Sequence, residues 1–254
     1  MIEKDKSIYR CYNETFPEKF GFACVLRYLC RMNTRLVIFD LDGTLLDTID
    51  DLASAVDHVL AVESLPRHTR EEYRMMVGGG IRKLIFRALP ETMRSDAFID
   101  KCLSRFVDYY SENIDRMTHP YPGIGRVLSQ LESHGIAMAV ASNKFQRGTE
   151  RLVGRFFPNV RFVAVAGNCD GLPLKPDPAV VDRIIAAAGV ERCQTVMVGD
   201  SGVDMSTAHN ASIRAIGVTW GFRSREELAA AGADSIVSTA DELLDAIISP
   251  HSQQ

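Results

Sequence analysis

The chain has 254 residues, 46% of them hydrophobic and 24% charged, with a formal net charge of −4. That length allows about one to two domains, and the composition excludes disordered, collagen-like and fibrous classes. The mild acidity gives no long-range pull towards nucleic acid or an anionic membrane surface, and the six scattered cysteines (Cys11, Cys24, Cys30, Cys102, Cys169 and Cys193), none in a C-x-x-C pair, make neither a disulfide framework nor a zinc or redox motif.

The chain opens on an apolar run, Phe20–Cys30, interrupted by Arg27. It falls short of the ~20 apolar residues that cross a bilayer. Acidic residues upstream (Glu3, Asp5, Glu14, Glu18) and the lack of a small-x-small cleavage site disfavour a targeting signal. Residues 1–33 read as an N-terminal extension, with Met32 an alternative start of translation. The expected location is cytoplasmic.

Leu36–Phe39 is a short continuous apolar run, as in a strand buried on both faces of a parallel sheet. It leads into Asp40-Leu-Asp42-Gly-Thr44. Alternate residues of an extended chain share a side, so both carboxylates are expected in one crevice at the carboxyl end of the strand, where ligands bind in open parallel sheets. Two adjacent carboxylates need a cation or a proton, and Mg²⁺, a hard ion that joins carboxylates to phosphate, suits them.

From Asp51 to Thr118 the pattern is helical, with breaks at Pro66, Gly78-Gly79-Gly80 and Pro90 and no strand. His119-Pro-Tyr-Pro-Gly123 marks the return to alternating elements. The organisation is therefore nested: an α/β core of residues 34–50 and 119–254, interrupted by a helical cap at 51–118. Glycines before a helix present free N–H groups, so Gly79, Gly80, Arg82 and Lys83 are candidates for contacting substrate; the alternative is a connector with two solvated cations.

Further buried strands are predicted at Ile136–Ala141, Phe162–Ala166, Thr195–Val198, Ile213–Val218 and Ser235–Val237. After the first stand Ser142 and Asn143, able to donate to a phosphate oxygen or to cap a helix. Lys175 precedes a helix predicted over Asp177–Ala188 with Asp177 as cap and Pro178 leading; it is a point charge for phosphate or a solvated loop lysine. After the Thr195 strand come Asp200 and Asp204, the latter a second site acid or a helix N-terminal acid favoured by the dipole. Strand–helix alternation of this kind gives a doubly wound, Rossmann-like α/β fold.

In order, Asp40-x-Asp42-Gly-Thr44, Ser142, Lys175 and Gly199-Asp200-x-x-x-Asp204 resemble the four motifs of the haloacid dehalogenase superfamily, over residues 35 to about 248. Within it the chain is most similar to phosphoglycolate phosphatases, through Asp42–Thr48, Tyr121–Gly123, Ser142-Asn-Lys144, Lys175–Pro178 and Gly217–Phe222. The resemblance implies a Mg²⁺-dependent phosphomonoester hydrolase acting on 2-phosphoglycolate or another small phosphorylated metabolite. It makes Asp40 the nucleophile that becomes an aspartyl phosphate and Asp42 the general acid and base. Asp40, Asp42 (through its backbone carbonyl), Asp200 and Asp204 would hold or support the metal. Thr44, Ser142, Asn143 and Lys175 would bind the phosphoryl oxygens, and the cap would choose the substrate.

Rival readings share much of this pattern. A phosphomutase of the β-phosphoglucomutase kind, a pyrophosphatase or a nucleotidase carries the same motifs, and Lys83 keeps a phosphonate hydrolase open. Asp42 argues against a dehalogenase. A phosphate-binding regulatory protein is expected to lack Asp40, Asp42 or Asp200, all present here. No G-x-x-x-x-G-K-[ST] or G-x-S-x-G occurs. The expected partner is a small phosphoester, with neither nucleic acid nor membrane, and the chain is expected to be a monomer or homodimer.

Overall fold

A computed structural model describes residues 34–169 and 171–248. The predicted N-terminal extension and Met32 lie outside the described residues.

Among the described residues, six strands form one parallel sheet. These are β1 (Leu36–Phe39), β4 (Ala137–Phe145), β5 (Phe162–Asn168), β6 (Thr195–Gly199), β7 (Arg214–Val218) and β8 (Ser235–Val237), in the order β5-β4-β1-β6-β7-β8. β1 is central, and the order of the chain reverses there, which makes its carboxyl end a switch-point crevice. Its four residues are fully buried, with Val37 and Phe39 in one apolar layer and Leu36 and Ile38 in the other, the two-period of a strand covered on both faces.

Among the described residues, six helices flank the sheet. α5 (Ile124–Ser133), α6 (Gln146–Phe156) and α10 (Ala240–Ile248) bury residues in the first layer; α7 (Ala179–Ala188) and α8 (Gly202–Asn210) do so in the second, joined by the short α9 (Arg225–Ala230). The chain is thus the α/β fold its alternation predicts. α7 begins one position later than expected: Pro178 is its cap residue, Asp177 Oδ1 accepts from the Ala179 N–H at 2.9 Å, and Gly189 follows its last residue, Ala188.

Between β1 and β4 the chain is helical: α1 (Ile49–Val62), α2 (Arg70–Met76), α3 (Ile81–Ala88) and α4 (Asp96–Asn113), with a 3₁₀ turn at Glu91–Met93. α1 and α4 share one apolar cluster through Val56, Val59, Cys102 and Phe106. The two chain crossings at the base of this insertion are tied together. Short strands β2 (Leu46–Asp47) and β3 (His119–Pro120) pair antiparallel. The buried Asp51 carboxylate accepts from the N–H groups of Met117 and Thr118 and from the Thr118 hydroxyl.

β4 differs from expectation. It runs four residues beyond Ala141 and keeps pairing with β5 through a register shift that brings Phe145 opposite Asn168. Ser142, Asn143 and Lys144 therefore lie inside the strand, and Phe145, not a polar residue, occupies the cap position of α6. Among the described residues no helix is long and apolar enough to cross a membrane.

Candidate active site

Asp40 follows β1 directly and is buried. The chain then turns sharply instead of running on extended: the Leu41 carbonyl accepts from the N–H groups of Thr44, Leu45 and Leu46 at 3.3, 3.1 and 3.0 Å. Gly43 makes this possible. Its φ is +92°, and a Cβ there would drive into the Asp200 carboxylate. Asp40 and Asp42 line one cleft, as expected. They do so through this turn, and each has its own cation.

Lys175 Nζ donates to Asp40 Oδ1 at 2.8 Å and to Asp204 Oδ1 at 2.7 Å. Lys144 Nζ donates to Asp42 Oδ1 at 2.7 Å. Both lysine side chains are 3% exposed. Asp200 follows β6, where its Oδ1 accepts from the Thr44 hydroxyl at 3.3 Å and its Oδ2 from the Phe222 N–H at 2.7 Å. Asp204 stands in the first turn of α8, with Oδ2 accepting from the Ser201 N–H and hydroxyl. It is therefore both a helix N-terminal acid and a site acid. Gly199 lets it approach, since a Cβ there would overlap the Asp204 side chain.

Carboxylate oxygens of Asp40, Asp200 and Asp204 lie within 4.8 Å of one another. Burial, together with the charges of Asp204 and Asp42, pushes the Asp40 carboxyl up to about 7 even though Lys175 pulls the other way. Burial and the nearby Asp40 likewise hold Asp200 well above the carboxylate range. Burial opposes the charge on Lys175, but Asp204 and Asp40 outweigh it and keep the ammonium protonated. Three buried carboxylates around one ammonium leave negative charge uncompensated, and an all-oxygen donor set suits a hard divalent cation. The Asp42 carboxylate lies outside this cluster, paired with Lys144; the metal contact expected of Asp42 is through its backbone carbonyl, not its side chain.

The other sequence candidates divide. Ser142 lines the cleft; its Oγ accepts from the Lys144 N–H at 3.2 Å, which leaves the hydroxyl proton to donate. Asn143 also borders the cleft, but its amide is engaged by the Lys175 backbone. The Thr44 hydroxyl is directed at Asp200, and Thr44 is fully buried. Gly80 and Gly78 reach the cleft wall, whereas Gly79 packs by the Lys83 stem. Arg82 and Lys83 are not brought to it: the exposed Arg82 guanidinium bridges Asp96 and Asp100 on α4. The wall facing the carboxylates is apolar, formed by Leu52, Val77, Ile81, Leu84 and Phe222. The cleft holds about 50 Å³.

Two cationic lining residues have no role assigned from the sequence, Lys144 and Arg223. Lys144 lies two residues past the motif serine, and only Asp42 gives it a role. Arg223 donates to the carbonyls of Arg74, Met75 and Val77 at the end of α2, and Arg74 returns a bond to the Gly221 carbonyl.

The family model described as haloacid dehalogenase-like hydrolase matches residues 37–218. A phosphoglycolate phosphatase of Mesorhizobium japonicum is 35% identical over 196 residues, covering 76% of this chain and 86% of that enzyme. One from Vibrio parahaemolyticus is 31% identical over 225 residues, covering 86% and 98%. A crystal structure from Lactobacillus delbrueckii subsp. bulgaricus, provisionally assigned as a phosphoglycolate phosphatase, superposes with a TM-score of 0.81 at 30% identity, covering 86% of this chain and all of the other. With its acid cluster at the switch point of the sheet, the chain belongs to the haloacid dehalogenase-like hydrolase family and is an enzyme of the phosphatase kind.

Proposed function

We propose that this enzyme is a Mg²⁺-dependent hydrolase of small phosphomonoesters, 2-phosphoglycolate first among them, and that it works through an aspartyl phosphate on Asp40. The observation that carries the reading is the buried Asp40 carboxylate at the end of β1, clustered with Asp200 and Asp204 and touched by Lys175. Asp40, Asp200 and Asp204 would hold or support Mg²⁺, which supplies positive charge that lets two anions approach.

Asp40 attacks phosphorus, its new P–O bond forming as the ester P–O bond breaks. Asp42 gives its proton to the departing oxygen, then takes one from the water that cleaves the acyl phosphate and releases inorganic phosphate. Lys175 and the Ser142 hydroxyl face the non-bridging oxygens, whose charge rises in transfer. The helices between residues 51 and 118 act as a cap, with the core in residues 34–50 and from 119 onwards. The apolar wall from that cap and the Gly78–Gly80 turn exclude water and limit substrate size. The small cleft and the phosphoglycolate phosphatase relatives support the choice of substrate.

Phosphate release is measured with Mg²⁺ over 2-phosphoglycolate, pyrophosphate, hexose phosphates and nucleoside monophosphates. Highest kcat/KM on 2-phosphoglycolate, with none for Asp40→Asn, is the expected result. Isomerisation of a hexose phosphate without phosphate release would make the enzyme a mutase, and near-normal turnover by Asp40→Asn would remove the mechanism.

A further inference from the structure

The two buried lysines of the cleft are assigned to different acids. Lys175 serves Asp40 and Asp204, inside the acid cluster. Lys144 serves Asp42 alone, outside it. Among the described residues the Lys144 ammonium is the one hydrogen-bond partner of the Asp42 side chain, bound at Oδ1, so Oδ2 is left without a bond. Asp42 and Lys144 both border the cleft.

Lys144 is itself fixed from the other side. Its ammonium lies 4.9 Å from the centroid of the Tyr110 ring, within the range at which an aromatic face attracts a cation. Tyr110 belongs to α4 of the helical insertion and is fully buried, stacked on Phe106 and set edge-on to Phe145. The contact therefore crosses from the insertion to the core strand β4. A lysine stem is flexible by nature and loses rotamer freedom when held. Here a carboxylate at one end and an aromatic face beside it hold the head in place. A lysine needed only to balance charge in the acid cluster would face Asp40, Asp200 or Asp204, and Lys144 contacts none of them by hydrogen bond or ion pair among the described residues.

We infer that Lys144 is a positioning residue for Asp42: seated on the Tyr110 ring, it holds one oxygen of the carboxyl so that the other is presented to the leaving-group oxygen and then to water. The inference rests on the proposed role of Asp42 in proton transfer. Positioning of this kind matters only where a proton must be delivered, and a poor leaving group needs one far more than a good one.

The test compares kcat/KM on an alkyl phosphomonoester that the enzyme turns over with that on p-nitrophenyl phosphate, whose phenolate departs unaided. Both are measured on the same preparation, so their ratio is independent of how much of a variant folds. Lys144→Met is expected to lose at least about tenfold more activity on the alkyl ester than on p-nitrophenyl phosphate. Asp42→Asn should show the same split, and adding Lys144→Met to Asp42→Asn should not widen it. Lys144→Arg, which keeps a donor and a charge, should recover part of the loss, and Tyr110→Leu should show a smaller split of the same sign. Equal losses on both esters in Lys144→Met, or a split that persists in full on top of Asp42→Asn, would overturn the inference. Asp40→Asn assayed alongside separates the two levels: its activity would remove the aspartyl-phosphate reading, whereas its silence with equal Lys144→Met losses removes only the role of Lys144.

Discussion

Asn143 and Lys175 hold each other through two reciprocal hydrogen bonds: the Lys175 N–H donates to Asn143 Oδ1 at 2.8 Å, and Asn143 Nδ2 donates to the Lys175 carbonyl at 3.1 Å. The side chain of a β4 residue thus fixes the backbone of a loop residue 32 positions away, just before the ammonium that bridges Asp40 and Asp204. Both groups are buried, so neither bond is replaced by water without cost.

Asn143→Ala strips Lys175 of both backbone partners. Each buried group left unsatisfied costs about 1–3 kcal/mol, so the variant should unfold at lower denaturant with an unchanged m-value. Its kcat should fall by about tenfold or more as Lys175 loses its aim. Asn143→Asp keeps the acceptor and loses the donor, and should fall between. If Asn143 bound the phosphoryl group itself, KM would rise while stability stayed near wild type. Urea titration beside steady-state kinetics distinguishes the two.

Gly43→Ala tests the turn. The substitution must adopt φ +92° and place a methyl group against the Asp200 carboxylate; strain in the left-handed region alone costs about 1–2 kcal/mol. Displacing Asp200 also spoils the acid cluster. The expected result is loss of phosphatase activity with weaker metal-dependent stabilisation in thermal melts. Wild-type activity would show that the turn and Asp200 are not coupled.

The acid cluster makes stability depend on pH. Asp40 keeps its proton in the folded chain up to about 7, against 3.8 for an unperturbed carboxyl, and Asp200 is raised in the same direction. Between those two pH values the folded state binds more protons than the unfolded state, so this contribution to stability is present below about pH 4 and is lost as pH rises to 7. Protein treated with a chelator should therefore lose stability from these groups over that window. If Mg²⁺ binds this cluster as proposed, it competes with the same protons, and its increment in Tm should be larger at pH 8 than at pH 5. An increment that is equal at both pH values would exclude this cluster as the ion's site.

Much of this was legible because strand ends are. Leu36–Phe39 and Val196–Gly199 are continuously apolar and then stop at an acid, so the positions of Asp40 and Asp200 follow from a local pattern. The end of β4 was not: Ser142-Asn-Lys144 has weak strand propensity, and only pairing with β5 extends the strand through it. Residues whose roles come from distant partners were equally hidden. Lys144 meets Asp42 across 102 positions, and Thr44 meets Asp200 across 156. The surroundings of Arg82 were hidden for a different reason. Its helix was readable, but the direction it faces is set by Asp96 and Asp100 on α4.

Arg223 supplies the last test, at the seam between insertion and core. The last carbonyls of a helix lack intrahelical donors and carry partial negative charge. Arg223 supplies both a donor and a positive charge there, with Nη1 at 2.6 Å from the Arg74 carbonyl and Nη2 at 2.6 and 3.3 Å from those of Val77 and Met75. Its Nε pairs with Glu227 at 3.3 Å. A planar fork with five N–H groups can satisfy these acceptors together, and a lysine cannot. Arg223→Lys should therefore behave much like Arg223→Ala: amide exchange in residues 74–81 should quicken by an order of magnitude or more while exchange in β1 and β6 stays unchanged. Because those residues carry Val77, Gly80 and Ile81 of the cleft wall, KM should rise more than kcat falls. Faster exchange throughout the sheet would instead mean that Arg223 supports the whole fold, and unchanged exchange in residues 74–81 would mean that it does not fasten the insertion at all.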